Sequence, residues 1–265
     1  MSLEEFKGIF WWEYIHRVWG RVIGMAFLLP LLWFAVVKKV PMRTLLPFAG
    51  LFSLVCLQGF MGWFMVQSGL KDNPAVSHYR LTVHLLLALI LFSLCYCVGL
   101  KHAFQVNTVR VSNFLTRYTS VFCALLFVTI AMGGMVAGSD AGLIYNTFPL
   151  MEGHIMPPEA FQMQPWWVNL GENPATKQFV HRMLAYAAFF AGAGLVYAVW
   201  VRAPKADTAK RVSLLLFFLL CCQVGLGIAT ILYHVPVVLG VLHQANVVLV
   251  LAVALHLRFL LKKGF

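Results

Sequence analysis

Seven apolar runs, each about as long as a helix needs to cross a bilayer, constrain this chain more than any other feature. They cover roughly 11–37, 45–67, 81–100, 118–137, 180–201, 212–233 and 237–260. About 20 apolar residues in a helix span the hydrocarbon core. No water there can bond to exposed N–H and C=O groups, so each run must satisfy its own backbone, as a helix does. The strands of a membrane barrel alternate apolar and polar residues, and these runs do not. Hydrophobic residues make up 61% of the chain and the mean hydropathy is +0.82, which excludes an ordinary soluble domain. The expected fold is an all-α polytopic membrane protein.

The formal net charge of +11 is spread along the chain rather than gathered in a patch for nucleic acid. Lys38, Lys39 and Arg43 follow the first run; Lys101, Arg110 and Arg117 follow the third. Arg202, Lys205, Lys210 and Arg211 follow the fifth, and Arg258, Lys262 and Lys263 follow the seventh. If the spans alternate in direction, all of these cations share one side. The acids other than Asp207 lie on the opposite side. The positive-inside rule then puts the C-terminus inside and the N-terminus outside. The partner implied by this charge is the lipid membrane. No cleavable signal is visible, since residues 1–10 are short and carry Glu4 and Glu5.

The six cysteines, Cys56, Cys95, Cys97, Cys123, Cys221 and Cys222, all fall within apolar runs, where they read as small buried hydrophobes. The pair in Cys95-Tyr96-Cys97 projects from different helix faces and makes a poor metal or redox pair.

Four histidines stand near the same ends of four runs: His16, His84, His181 and His243. An ionisable ring near a bilayer core is costly and by default points to function. Imidazole is a standard axial ligand of haem iron, and two histidines on facing helices can hold one iron between them. Two pairs, His16 with His84 and His181 with His243, would hold two haems, both near the outer surface. His78, His102, His154, His234 and His256 sit in loops or at run ends and are expected to be solvated or capping.

Glu13 precedes His16 by three residues and shares its helix face. Two readings stand: a carboxylate at a haem edge that moves protons or stabilises charge, or an interfacial partner of Arg17 or Arg21. Arg17, Arg80 and Arg182 lie within a turn of the proposed ligands, as partners of haem propionates or as markers of the membrane interface. The long segment 138–179, rich in Gly, Pro and Trp and holding Asp140, Asn146, Trp166 and Trp167, is expected to form an ordered flap on the membrane surface.

The His-Arg dipeptide opens both the first and fifth runs. The next run in each case carries Gln58-Gly59-Phe60-Met61-Gly62 or Gln223-Val224-Gly225-Leu226-Gly227, and the one after it begins with His84 or His243. This pattern is a tandem duplication of two helical-bundle halves, expected at 1–110 and 111–265. The halves hold three and four spans, so a further helix is expected ahead of Met1, in a longer form of the chain.

Four stretches make the chain recognisable. They are Glu5 to Arg21 (EFKGIFWWEYIHRVWGR), Gly62 to Leu70 (GWFMVQSGL) with Ser77 to Thr82 (SHYRLT), and Val136 to Pro149 (VAGSDAGLIYNTFP). In these the chain resembles haem A synthase, in the form found in mitochondria and many proteobacteria, over essentially its whole length.

The resemblance implies eight transmembrane helices in two halves, of which seven are in this chain. It also implies oxidation of a methyl group of haem O to a formyl group, giving haem A for cytochrome oxidase. The route implied is successive hydroxylation followed by dehydration to the aldehyde. His16 and His84 match the ligands taken to hold haem O as substrate, with Glu13 the residue associated with catalysis. His181 and His243 match the pair taken to hold a b haem that passes electrons. A ferredoxin-type electron donor, haem O synthase as a partner, and a homo-oligomer also follow from the resemblance. The setting is the mitochondrial inner membrane or a bacterial plasma membrane. The family's first helix and the outer loop after it have no counterpart here, so this chain is expected to keep the second haem and to make haem A poorly. The competing functions are a di-haem b-type electron-transfer protein, which needs no carboxylate at the substrate edge, and a seven-span receptor or transporter without haem.

Overall fold

The computed structural model describes residues 3–67, 76–103, 113–203 and 206–262. Among these, seven helices are long and apolar enough to cross a membrane. They are α1 (Leu3–Val37), α2 (Met42–Gln67), α3 (His78–Ala103), α4 (Asn113–Gly138), α6 (Pro174–Arg202), α7 (Asp207–Leu232) and α8 (Val237–Leu261), with the short α5 (Val168–Glu172) before α6. The described residues include no strand beyond one isolated bridge between Met151 and His154. The expected boundary between residues 110 and 111 falls outside the described residues, as do Arg110, Lys205 and Lys263 and the Ser68-Gly69-Leu70 end of one recognised stretch.

The helices outrun the apolar windows, because a helix continues until its capping groups stop it. The correction is largest in α6. It begins at Pro174 rather than near 180, with Asn173 as N-cap accepting a bond from the Thr176 N–H at 3.2 Å. Proline at the first helical position gives up a backbone donor that the first turn cannot use. His181 therefore lies two turns inside α6 rather than at its start.

The chain forms two compact units, residues 1–67 and 68–265. In the first, α1 packs on α2. In the second, α4 packs on α3, α6 and α8, while α7 lies between α6 and α8. This second unit is closely packed at one end. Leu115 of α4, Val199 of α6, Leu216 of α7, and Leu257 and Leu261 of α8 are fully buried there. Polar ties close the same end: Thr116 Oγ1 donates to the Leu261 carbonyl at 2.8 Å, and Arg258 Nε donates to Ser120 Oγ at 2.8 Å. Arg202 stacks over the Phe114 ring at 4.5 Å. Arg117, Arg202, Lys210, Arg211 and Arg258 lie toward that end of their helices, while Arg80, Lys177 and Arg182 lie toward the other. The cysteines are free and lie on α2, α3, α4 and α7.

Between α3 and α4 the approach is set by glycine. A Cβ on Gly138 would lie 2.8 Å from His78 Cα, and one on Gly134 would lie 3.0 Å from Thr82 Oγ1. Small residues four apart allow such close crossings in lipid, where packing replaces the hydrophobic effect as the main source of helix association. Gly138→Ala should therefore lower thermal stability in detergent, by about 1–3 kcal/mol if the crossing must open. Gly225→Ala, with nothing within 4 Å of its Cβ position, should leave stability unchanged or raise it. Equal melting temperatures for the two variants would show that the crossing is loose.

Candidate functional site

The other end of the second unit is open. A cavity of about 470 Å³ lies among α4, α6, α7, α8 and the segment that follows α4. Both His181 and His243 line it, in a wall that is otherwise mostly aliphatic and aromatic. The structure thus brings together the second of the two expected histidine pairs.

Each ring rests against a glycine of the neighbouring helix. A Cβ on Gly133 of α4 would lie 3.0 Å from His181 Cε1, and one on Gly227 of α7 would lie 3.1 Å from His243 Cε1. His181 Nδ1 is 3.2 Å from the Thr129 carbonyl oxygen. A carbonyl only accepts, so Nδ1 carries the proton and Nε2 keeps its lone pair. A histidine ligand is held for a metal in this way, by a bond from its other ring nitrogen.

At His243 the Gln223 side-chain nitrogen lies 3.2 Å from each ring nitrogen and donates to the His243 carbonyl at 3.1 Å. Asn246 Nδ2 donates to Gln223 Oε1 at 2.7 Å and fixes the amide. Neutral nitrogen donors, glycine clearance and an apolar wall suit a flat apolar ring with a central metal.

The segment joining α4 to α6 closes the cavity's open end and is built from polar bonds. Asn169 alone accepts from the Met163 N–H at 2.9 Å and donates to the Met163 and Trp166 carbonyls at 2.7 and 2.8 Å. Asn146 Nδ2 bridges the Gly142 and Ile231 carbonyls at 3.1 and 3.0 Å, tying the segment to the end of α7. Trp166 and Trp167 are exposed, as an interfacial flap requires. Tyr145 donates to Glu159 Oε2 at 2.5 Å. Burial and this bond push the Tyr145 hydroxyl up to about 12, and the same bond holds the Glu159 carboxyl below its usual range.

Arg182 is buried, at 6% exposure, and lines the same cavity. Its Nη1 and Nη2 donate to the carbonyls of Thr147 and Tyr145, each at 3.0 Å. Gln178, at 2% exposure, also donates to the Tyr145 carbonyl, at 3.0 Å. Arg182 Nε and Gln178 Oε1 are buried without a hydrogen-bond partner. Gln178 and Gly133 carry no signal that singles them out in the sequence, whereas Gly227 stands in the repeated Gln223–Gly227 motif. Their roles depend on which helix each one faces.

The remaining candidates are distributed differently. Glu13 and His16 stand on α1 in the first unit, and Glu13 forms an ion pair with Arg17, both side chains about half-exposed. His84 is part-buried on α3 in the second unit. Two other histidines correct the solvated reading, because folding brings polar partners from distant segments. His78 Nε2 donates to the Gly171 carbonyl at 3.1 Å, and His256 Nδ1 meets Tyr96 Oη at 3.2 Å. His234 lines the cavity and is exposed, as expected.

A family model described as cytochrome oxidase assembly protein matches residues 1–255. A haem A synthase of Nitrosospira multiformis is 44% identical over 269 residues, covering 99% of this chain and 74% of its own length. One from Sinorhizobium fredii is 44% identical over 255 residues, covering 96% and 69%. One from Agrobacterium fabrum is 42% identical over 257 residues, covering 95% and 68%.

The Tyr145–Glu159 tie yields a pH test. Glu159 is lowered in the folded chain, so its contribution is present above the ordinary carboxyl range and is lost as pH falls through its lowered value. Hydrogen exchange of amides near 145 and 159 should accelerate, beyond the intrinsic pH effect, in that acidic window. In Tyr145→Phe the amides should exchange faster at neutral pH and show no such step. A step of equal size in both would remove the tie from the flap's stability.

Proposed function

The chain belongs to the family of cytochrome oxidase assembly proteins, and on that premise we propose that it is a haem A synthase, an oxidoreductase that converts the methyl group of haem O to formyl. The observation that carries the reading is the cavity shared by His181 and His243, each backed by a glycine, with the His181 proton committed to the Thr129 carbonyl. In this reading the two residues would hold the iron of a b haem through their ring nitrogens. Such a haem, when bound, relays single electrons. Thr129 and Gln223 orient the two rings, and the apolar wall excludes water.

His16 and His84 hold haem O as substrate in the first of two tandem halves, 1–110 and 111–265. Glu13 acts there, taking up a proton or stabilising positive charge at the reacting edge. The chain is of the mitochondrial and proteobacterial type, which fits the absence of any cysteine from the described connecting segments. The haem sites face the outer side of a mitochondrial inner membrane or bacterial plasma membrane. Haem O synthase supplies the substrate, a ferredoxin-type protein supplies electrons, and the protein forms a homo-oligomer.

Two sets of variants test the proposal. His181→Ala and His243→Ala should each abolish the low-spin haem signal of the second half in reduced-minus-oxidised spectra; an unchanged signal in both removes that ligand pair. Glu13→Gln should keep this signal but lower the haem A to haem O ratio in extracted cells by about tenfold or more. A normal ratio would leave Glu13 as a partner of Arg17 only.

A further inference from the structure

The closely packed end of the second unit carries a shallow groove on its outer side, beside the contact of α4 with α6. Phe114, Arg117, Tyr118 and Val121 of α4 line it. They recur every three or four positions and so share one face of the helix. Tyr118 closes the floor against α6: its Oη donates to the Ala191 carbonyl at 2.9 Å, and a Cβ on Gly194 would lie 2.6 Å from that oxygen. Phe114 and Val121 are exposed. From one to the other the groove runs about 10 Å along the helix. Two guanidinium groups stand at its mouth. Arg117 is exposed one turn into α4, and Arg202, from the last turn of α6, lies over the Phe114 ring at 4.5 Å. A cation–π contact engages the flat face of a guanidinium and leaves its edge donors for a ligand. Among the described residues neither arginine forms an ion pair. The neighbouring sequence offers little to neutralise them, since Asp207 is the only acid in 101–117 and 200–212. Lys210 adds a further cation, over the Trp200 ring at 5.4 Å.

We infer that this groove binds one anionic phospholipid, with Arg117 and Arg202 receiving its phosphate and an acyl chain lying along Phe114, Tyr118 and Val121. The arginines stand at helix ends, where headgroups lie, and the apolar wall runs from them toward the middle of the span. A phosphate accepts the guanidinium fork along an edge and supplies the missing counter-charge. Basic pockets between membrane helices seat anionic headgroups in this way. A free phosphate would meet the arginines and leave the apolar wall bare. A zwitterionic lipid would cover the wall but bring a cation of its own toward the arginines. The site is narrower than the attraction of any exposed cation for an anionic membrane, because it places one lipid in one groove. It is independent of the haem reading.

The test uses the full chain in detergent and native mass spectrometry of its complexes with phosphatidylglycerol or phosphatidylcholine of identical acyl chains. The first phosphatidylglycerol should bind about ten- to thirtyfold more tightly than the first phosphatidylcholine, as expected for two cations at the headgroup. The double variant Arg117→Gln/Arg202→Gln should bring that ratio close to one. Arg43→Gln/Arg211→Gln removes the same charge from exposed positions that do not line the groove and should keep the ratio. Excess glycerol 3-phosphate should not displace the bound lipid. Equal binding of the two lipids by the unaltered chain would overturn the inference, and that measurement requires no variant to fold. An equal fall in both double variants would overturn it in favour of diffuse charge attraction. Displacement by glycerol 3-phosphate would overturn it in favour of a phosphate site in which the groove has no part.

Discussion

How closely its neighbours can approach α4 governs the rest of the second unit. In hydrocarbon there is little hydrophobic gain from pressing one apolar helix on another, so association depends on contact at short range. Two adjacent glycines meet this demand on two faces at once. Gly134, with Gly138 one turn on, admits the backbone of α3, while Gly133 admits the ring of His181 from α6. A larger residue at the first pair would push away the helix that carries His84. A larger residue at Gly133 would turn the His181 ring and lengthen its bond to Thr129.

Packing along the unit is uneven in a way that suits a cofactor protein. At the basic end, buried leucines and polar cross-ties leave little space among α4, α6, α7 and α8. At the flap end the same helices enclose a cavity. Close packing and open space thus lie at opposite ends of one bundle. The closed end holds the helices at a fixed separation, so the cavity walls keep their geometry without a filler. The polar atoms lining the cavity are restrained in the same spirit: Gln223 by Asn246, His181 by Thr129, and Arg182 by two flap carbonyls.

The spans were legible in the sequence because a run of about 20 apolar residues has few other uses. Their ends were less legible, since capping and interfacial residues are polar and hydropathy windows exclude them. Asn173-Pro174 is a helix-start signal in its own right, but it lies outside the apolar run that marks α6. His181 and His243 could be picked out by type and repeat position. Arg17, Arg80 and Arg182 could not be ranked, because each is one residue or a few from a histidine and only burial separates them. His78 and His256 read as solvated because their partners, Gly171 and Tyr96, are 93 and 160 residues away in the chain. No local pattern encodes contacts of that kind.

The internal repeat gains physical content from the second unit. Gln223 and Gly227 are four apart, so they share one face of α7, and both meet His243: the amide beside the ring nitrogens, the glycine beside Cε1. Gln58 and Gly62 stand at the same interval on α2. A histidine alone can arise in a membrane helix for many reasons. A histidine accompanied in each half by a glutamine and a glycine at the same interval is harder to explain by packing alone, because packing has no need of the amide.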